Sequence, residues 1–110
     1  MKEIKIIFEL NNKENPYFYE GIATIENEVI RYKDEDSNVL VDMVRNLLIK
    51  KDKEKLIKID FNNNTMKIKL GNIEINSSIK VINIKKEKNL FESTYKIDNN
   101  EIKLSIKIEY

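Results

Sequence analysis

The chain has 110 residues, of which 41% are hydrophobic and 35% charged, and its formal net charge is +1. This length and composition predict one soluble globular domain over residues 1–110. The sequence contains no cysteine and no histidine, which excludes thiolate zinc sites, disulfide scaffolds, cysteine nucleophiles and catalytic triads with an imidazole base. No apolar run is long enough to cross a bilayer, and the first residues do not resemble a secretion signal. We therefore expect a cytoplasmic protein without a membrane partner.

The first third of the chain reads as three strands. Ile4, Ile6, Phe8 and Leu10 form an alternating apolar row, which is typical of a strand with one buried face. A polar loop is predicted from Asn11 to Pro16. Two further strands are then predicted at 18–24 and 28–33, joined by a turn at Glu26-Asn27.

The segment 39–51 is ambiguous from its pattern. Its apolar residues fit an amphipathic helix, with Ser37 as a cap, because they recur at three- and four-residue spacing. The same segment also divides into two short strands, 39–44 and 47–51, that reverse at Arg45-Asn46. The β-branched valines at 39, 41 and 44 favour the strands. Pattern alone leaves both interpretations open.

The second half reads as a meander of antiparallel strands. A strand over 55–61 ends at the asparagine turn 62–64, and Gly71-Asn72 is a type II′ turn signal. A hairpin turn is predicted at 98–101 between the last two strands. The apolar residues predicted to point inward from these strands are Ile57, Ile59, Phe61, Met66, Ile68, Leu70, Ile73, Ile75, Ile79, Val81, Phe91, Tyr95, Ile97, Ile102, Leu104, Ile106, Ile108 and Tyr110.

These elements predict an all-β fold, a single antiparallel and mostly meander barrel of about eight to ten strands. Nearly every strand has one apolar face, and no long helix is predicted that would cover it. The sheet must therefore close on itself or fold onto a second sheet.

Several segments resemble the YwiB-like family of small bacterial proteins of uncharacterised function, which have a lipocalin-like, calycin-type β-barrel. The segments that carry the resemblance are Tyr19-Glu20-Gly21, Ile30 to Glu35, Leu47 to Lys51, Lys69 to Ser77, Ser93 to Ile97 and Leu104 to Ile108. The resemblance implies that 39–51 is a strand pair, and we adopt that prediction. It supplies no catalytic residues. The sequence departs from the family pattern at Lys51-Asp52-Lys53, where relatives tend to have Arg followed by Gly, and at Met66, where they tend to have Tyr.

A polar set inside the barrel is the first candidate site. Ser77 and Ser93 interrupt inward apolar rows, and ligand pockets are commonly apolar with a few hydroxyls that fix orientation. We predict that Ser77, Ser93 and Tyr95 point into one cavity beside Phe18 and Phe8. The alternative is that these serines sit where the barrel narrows, with their hydroxyls bonded to the backbone.

Three other clusters have simpler interpretations. The acidic run Asp34-Glu35-Asp36 has carboxylates that calcium would accept, but it lacks the EF-hand pattern and is predicted to be a solvated turn rather than a metal site. Glu20 and Arg31 are expected to pair on the outer face, where an ion pair contributes little. Placed inside, the same pair would be expensive to bury and would suggest function.

The third of these clusters combines Tyr17-Phe18-Tyr19 with Lys50, Lys51, Lys53 and Lys55. Aromatic rings beside a basic stripe are how small barrels bind single-stranded nucleic acid. The aromatic residues here alternate between two faces, and 20 basic residues are balanced by 19 acidic ones. Nucleic acid is therefore disfavoured as a partner.

We predict a non-enzymatic protein without a cofactor that binds a small apolar ligand inside the barrel. The alternative is an interaction or structural module with a packed core. Such a module would act through a strand edge or a homodimer interface, for which Ile7, Ile82 and Ile84 on the nominally solvent-facing rows are the candidates.

Overall fold

The computed structural model describes residues 1–14 and 16–110. Strands and turns account for the described part of the chain, which contains no helix. The eleven strands found there are β1 (Lys2–Asn11), β2 (Tyr17–Glu26), β3 (Val29–Asp34), β4 (Ser37–Asp42), β5 (Leu47–Lys51), β6 (Lys55–Asp60), β7 (Thr65–Leu70), β8 (Ile73–Ser78), β9 (Lys80–Glu87), β10 (Leu90–Ile97) and β11 (Asn100–Glu109).

All eleven strands form one antiparallel sheet in the order β8-β7-β6-β5-β4-β3-β2-β1-β11-β10-β9. The sheet is a meander in which β1 also pairs with β11, so the two ends of the chain lie side by side. It curls into a nearly closed barrel whose two free edges are β8 and β9. The predicted all-β, antiparallel barrel architecture is confirmed.

The predicted number of strands was too low, because the apolar row from Ile73 to Val81 is two strands rather than one. The chain leaves the ladder at Ile79, between β8 and β9. Alternation continues through this residue, and Ile79 is itself buried. Periodicity therefore carries no signal of the break.

The segment 39–51 forms two strands, and the helical alternative is wrong. Val41 pairs with Leu48 across the β4–β5 hairpin. Asp42 Oδ1 accepts hydrogen bonds from the backbone N–H groups of Val44 and Arg45, and Asn46 takes a positive φ of 55°. Asp and Asn suit such a turn because their side chains satisfy local backbone groups and tolerate the left-handed conformation.

The other predicted reversals occur within a residue or two of their expected positions. The first hairpin turns at Asn27-Glu28, one residue later than expected, and both residues have positive φ, as a type I′ turn requires. Gly71 has a φ of 58° at the predicted type II′ turn. Between β10 and β11, Asp98 takes the positive φ, at 55°.

The core is the inner face of the barrel. Directly paired residues of antiparallel strands share a face, so β1, β10 and β11 together present a continuous apolar wall. Its fully buried members include Ile6, Phe91, Leu104 and Ile106. Across the barrel, the ring of Phe61 lies 5.4 Å from that of Tyr95 between ring centroids.

Asn64 fixes the chain at the point where β8 passes into β9. Its backbone carbonyl accepts a hydrogen bond from the N–H of Ile79, and its side-chain Oδ1 accepts one from the N–H of Val81. The residue lies in the β6–β7 turn with a φ of 56°. One turn residue thus holds the start of β9 beside the β6–β7 turn.

Strands β2 and β3 are unpaired over most of β2 and over the second half of β3. Their pairing covers only Thr24 to Glu26 of β2, although β2 begins at Tyr17. The space between them is filled by tyrosine side chains. Tyr19 stacks on Tyr32 with ring centroids 4.1 Å apart, and this opening lies beside the candidate site described next.

Candidate functional site

A cavity of about 380 Å³ opens at one end of the barrel, and we call it the mouth cavity. Its volume falls within the range of roughly 300–1,000 Å³ that is usual for small-molecule sites. Its wall is mainly apolar, with three tyrosines and two lysines interspersed. The lining residues are Phe8, Leu10, Pro16, Tyr17, Tyr32, Val39, Leu48, Lys50, Lys55, Ile57, Ile59 and Tyr95.

Tyr17 and Tyr32 form a hydrogen-bonded chain at the wall of the mouth cavity. Tyr17 donates its hydroxyl proton to Asp34 Oδ2 at 2.9 Å, and its oxygen lies 3.1 Å from that of Tyr32. A phenol has one proton, so Tyr32 must be the donor to Tyr17. Both hydroxyl protons are therefore committed within the protein. The Tyr17 ring also packs edge-on against Phe8, with centroids 5.3 Å apart.

This environment disfavours ionisation of both phenols. Burial, opposed by the hydrogen bond from Tyr32 but assisted by the Asp34 carboxylate, raises the pKa of Tyr17 to about 12. Burial, together with donation to Tyr17, raises the pKa of Tyr32 well above its ordinary value. Both groups consequently stay neutral across the physiological range.

Tyr95 lines the mouth cavity with a hydroxyl that has no hydrogen-bond partner among residues 1–14 and 16–110. The residue is 1% exposed, and burial alone raises the pKa of its phenol to about 12. Buried tyrosine hydroxyls usually have a partner. The Tyr95 hydroxyl is thus a neutral donor that the described part of the chain leaves unused.

Lys50 is an inner-facing lysine. It pairs with Val39 on one side and with Ile57 on the other, and both of these line the same cavity. Its Nζ lies 4.1 Å from the centroid of the Tyr17 ring, which is within the range of a cation–π contact. Lys55 pairs with Leu70 on the same face and stands exposed at the rim of the cavity.

Gly21 allows Tyr19 to fold over its own strand beside this site. A Cβ atom at position 21 would lie 2.7 Å from the Tyr19 hydroxyl oxygen, which is too close for a side chain. The Tyr19 hydroxyl donates to the carbonyl of Ile22 at 2.9 Å. The glycine therefore fixes the ring that stacks on Tyr32 at the opening between β2 and β3.

The five predicted site residues do not form one cluster. Phe8 and Tyr95 line the mouth cavity, as expected. Ser93 is buried two residues from Tyr95, and its Oγ has no hydrogen-bond partner in the described chain, so the alternative of a backbone-bonded hydroxyl does not apply to it. Ser93 does not belong to the cavity wall.

Phe18 and Ser77 lie elsewhere, and their predicted place in the cavity is corrected. Phe18 is 60% exposed, on the outer face of β2 opposite Glu9. The inner face of β2 carries Tyr17 and Tyr19 instead. Ser77 is half-buried on the free edge strand β8 and lines a separate concavity with Lys67 and Asn76.

The three candidate interface isoleucines also fail to form a common patch. The register of β9 against β10 shifts at Ile82, because Thr94 pairs with Asn83 whereas Tyr95 pairs with Val81. This bulge turns Ile84 inward, where it packs against the core. Ile82 is exposed, and Ile7 is half-buried on the outer face between Glu20 and Lys107.

The pairing register of the strands shows where the residues of the remaining clusters lie. Glu20 and Arg31 are both exposed on the outer face, as expected, but Arg31 lies opposite Thr24 rather than beside Glu20. The run Asp34-Glu35-Asp36 forms the β3–β4 turn, with Glu35 at a φ of 54°. Of the aromatic and basic residues considered for nucleic acid, Tyr17, Tyr19, Lys50 and Lys55 lie on the inner face, whereas Phe18, Lys51 and Lys53 do not.

Sequence reasoning missed Tyr17, Tyr32 and Lys50 as members of the site. The signal for Lys50 lies in the β4–β5 hairpin: pairing Val41 with Leu48 places position 50 inside, opposite Val39. An inward lysine in an apolar row is unusual, because burial of a charge is costly without a partner. The clustering of Tyr17 with Tyr32 and Asp34 has no local signal, since β2 and β3 are unpaired there.

A larger concavity of about 620 Å³ lies outside the barrel, between the β5–β6 turn and the β7–β8 turn. Its wall is mainly charged, including Asp52, Lys53 and Glu54. It is more open to solvent than the mouth cavity and has few convergent apolar groups. The mouth cavity is therefore the better candidate, although it is the smaller of the two.

Comparisons with family models, with curated proteins and with solved structures gave no match. The YwiB-like assignment, and with it the lipocalin-like classification, stays a prediction. Within residues 1–14 and 16–110 there is no helix long and apolar enough to span a membrane.

Proposed function

We propose that this protein is a non-enzymatic binding protein that holds one small, largely apolar ligand in the mouth of a lipocalin-like barrel. The observation that supports this proposal is the mouth cavity itself, whose wall combines apolar side chains with a few polar groups. Burial would supply most of the affinity, at about 25 cal/mol for each Å² of apolar surface removed from water. The polar groups would fix the ligand's orientation.

A titration with decan-1-ol by isothermal calorimetry tests this function. We expect binding of one molecule per chain. Ile57 lines the cavity, so Ile57→Trp should fill it and abolish the binding. Ile22→Trp is the matched control, because Ile22 is exposed on the outer face of β2 and the variant should bind normally. Thermal unfolding of both variants checks that they fold.

No heat of binding to the wild-type protein would contradict the proposed function. Equal binding by the two tryptophan variants would contradict it as well, since the ligand would then lie outside the mouth cavity.

A second candidate function, an interaction module that pairs with another copy of the chain, is favoured by the edge strand β8. Its backbone is paired on one side only, by β7. Ile73 and Ile75 on this strand are 64% and 49% exposed, and the adjacent Leu70 is also exposed. An apolar edge strand of this kind is a template for strand pairing between chains.

Native mass spectrometry distinguishes this second function by the subunit count. A dimer that Ile75→Lys converts to single chains would support pairing through β8, because charge on an edge strand opposes such association. Single chains for the unaltered protein would contradict it.

A further inference from the structure

The inner face of the barrel carries a positive charge in an otherwise apolar row. The row runs Tyr32, Val39, Lys50, Ile57 across β3 to β6, since each residue pairs directly with the next. Lys55 extends the charge to the rim of the same cavity. Two ammonium groups thus border a space that is mostly lined by hydrocarbon.

Neither ammonium group has a carboxylate partner in the described part of the chain. The ion pairs found within 4.0 Å there involve other basic residues, namely Arg45, Lys67, Lys85 and Lys103. Within residues 1–14 and 16–110, Lys50 has one cation–π contact, which is with the Tyr17 ring. A partly buried ammonium that lacks an anion is a costly feature unless a ligand supplies the anion.

The polar groups of the cavity are matched to a hydrogen-bond acceptor. Tyr17 and Tyr32 have already committed their protons in the chain that ends on Asp34. The groups still able to donate are the ammonium groups of Lys50 and Lys55 and the Tyr95 hydroxyl. A ligand that brought only donors would leave the buried Tyr95 hydroxyl and the half-buried Lys50 ammonium group without an acceptor.

The charges and the volume of the mouth cavity restrict the class of ligand further. Lys50 and Lys55 are the charged residues of the cavity wall, whereas the nearby carboxylates of Asp34 and Asp52 lie outside it, so the wall favours an anionic group. The cavity of about 380 Å³ has room for roughly a dozen water-sized groups, at about 30 Å³ for each water. The ligand would therefore have about that many non-hydrogen atoms.

We propose that the ligand is an apolar monocarboxylate, whose carboxylate group is held by Lys50 with Lys55 at the rim and whose hydrocarbon body lies among Phe8, Leu48 and Ile57. This inference rests on the proposed function, which it deepens by naming the chemical class of the ligand. Lys50 is the residue that confers selectivity for the anion over a neutral molecule of the same length.

A comparison of decanoate with decan-1-ol tests the inference, because the two probes share a chain length and differ in charge. We expect the wild-type protein to bind decanoate at least tenfold more tightly, since hydrogen bonds to charged groups are the stronger ones. Lys50→Met should remove that preference, so that the variant no longer binds decanoate more tightly than decan-1-ol. Methionine suits the apolar row, so the variant should fold.

Lys58→Met is the matched control. It removes the same charge from the neighbouring strand β6, but Lys58 is exposed on the outer face opposite Ile49. We expect it to preserve the preference for decanoate. An equal loss in Lys58→Met and Lys50→Met would overturn the inference, because the effect would then be one of net charge.

The failure of this inference is distinguishable from failure of the proposed function. If decan-1-ol binds as tightly as decanoate and Lys50→Met changes neither affinity, the ligand is not a carboxylate. The proposed apolar binding site is then unaffected. If neither probe binds, both proposals are overturned.

Discussion

Three tyrosine hydroxyls at the mouth cavity differ in what they bond to. Tyr17 and Tyr32 form a chain that ends on Asp34, whereas Tyr95 has no partner in the described part of the chain. The chain bridges the opening between β2 and β3 and so has a structural role. Tyr95 is left as the hydroxyl that is free to donate to a ligand.

The buried phenols make the fold sensitive to alkali. A folded-state pKa above the unfolded value means that the unfolded chain ionises first, so stability is full below about pH 10 and is lost as pH rises toward about 12. We expect Tyr95→Phe to lose less stability than the wild-type protein between pH 9 and pH 11. Urea unfolding at these pH values gives the difference, in which the lysine contributions cancel.

If the free energy of unfolding falls equally with pH in the wild-type protein and in Tyr95→Phe, the raised pKa of Tyr95 is contradicted.

Ser93 is an internal hydroxyl without a partner. It is 1% exposed between Phe91 and Tyr95 along β10, and its Oγ has no hydrogen bond in the described chain. Burial of an unsatisfied hydroxyl costs about 1–3 kcal/mol. This residue therefore weakens the core rather than stabilising it.

We expect Ser93→Ala to raise the free energy of unfolding by about 1 kcal/mol, because alanine removes the unsatisfied group and leaves only a small void. Chemical unfolding measures the change. Ser105→Ala, at a half-exposed position opposite Glu92, is the control and should lie within about 0.5 kcal/mol of the wild-type protein. A clear loss of stability in Ser93→Ala would show that the hydroxyl has a partner in solution.

At the scale of the strands, one asparagine fixes the passage from edge strand β8 into edge strand β9. Strands β8 and β9 are the two edges of the sheet, and Asn64 bonds to the backbone at Ile79 and Val81. The bulge at Ile82 then shifts the register of β9. Bulges increase local twist, which helps an edge strand to follow a curved sheet.

Two substitutions at Asn64 distinguish the contribution of its side-chain hydrogen bond to stability from the contribution of its positive φ. Asn64→Gly keeps the positive φ but loses the bond to Val81, so we expect a loss of about 1 kcal/mol. Asn64→Ala loses the bond to Val81 and also disfavours the positive φ, so it should cost about 1 kcal/mol more than Asn64→Gly. Hydrogen exchange of the Val81 amide should accelerate in both variants. Equal stability of the alanine and glycine variants would contradict the conformational part of this explanation.

Alternation in the sequence predicts strands best where each strand has two neighbours and an unbroken register. For β1 and β11 the predicted inward residues from Ile4 to Phe8 and from Ile102 to Ile108 are buried. The rule fails at Phe18, because the tyrosines on either side of it make both faces of β2 aromatic. It also fails at Ile84, since one extra residue at a bulge reverses every later side chain.

The residues of the candidate site could likewise be predicted only where their strands alternate clearly. Phe8 and Tyr95 belong to strands with a clear alternating pattern, and both line the mouth cavity. Lys50 was missed because the segment 47–51 contains three apolar residues in succession, which hides its inward face. The pairing of Tyr17 with Tyr32 depends on the separation of two strands, and such tertiary features leave no periodic trace in the sequence.

For the molecule as a whole, the mouth cavity lies beside the unpaired parts of β2 and β3 and not at the free edges β8 and β9. Phe61, Phe91 and Tyr95 fill the interior with ring centroids 5.4 to 6.3 Å apart, and the open end is left to apolar residues and the two lysines. Barrels of about eight strands are just wide enough for side chains or one small ligand, and the diameter grows with the number of strands, of which this sheet has eleven. The proposed function depends on the ligand occupying this end of the interior.

Intermolecular nuclear Overhauser effects between decan-1-ol and the methyl-labelled protein test that placement most directly. We expect contacts to the methyl groups of Leu48 and Ile57, which line the mouth cavity. Contacts confined to the exposed methyl groups of Ile22 or Ile73 would place the ligand on the outside or at the free edge, and would contradict binding within the barrel.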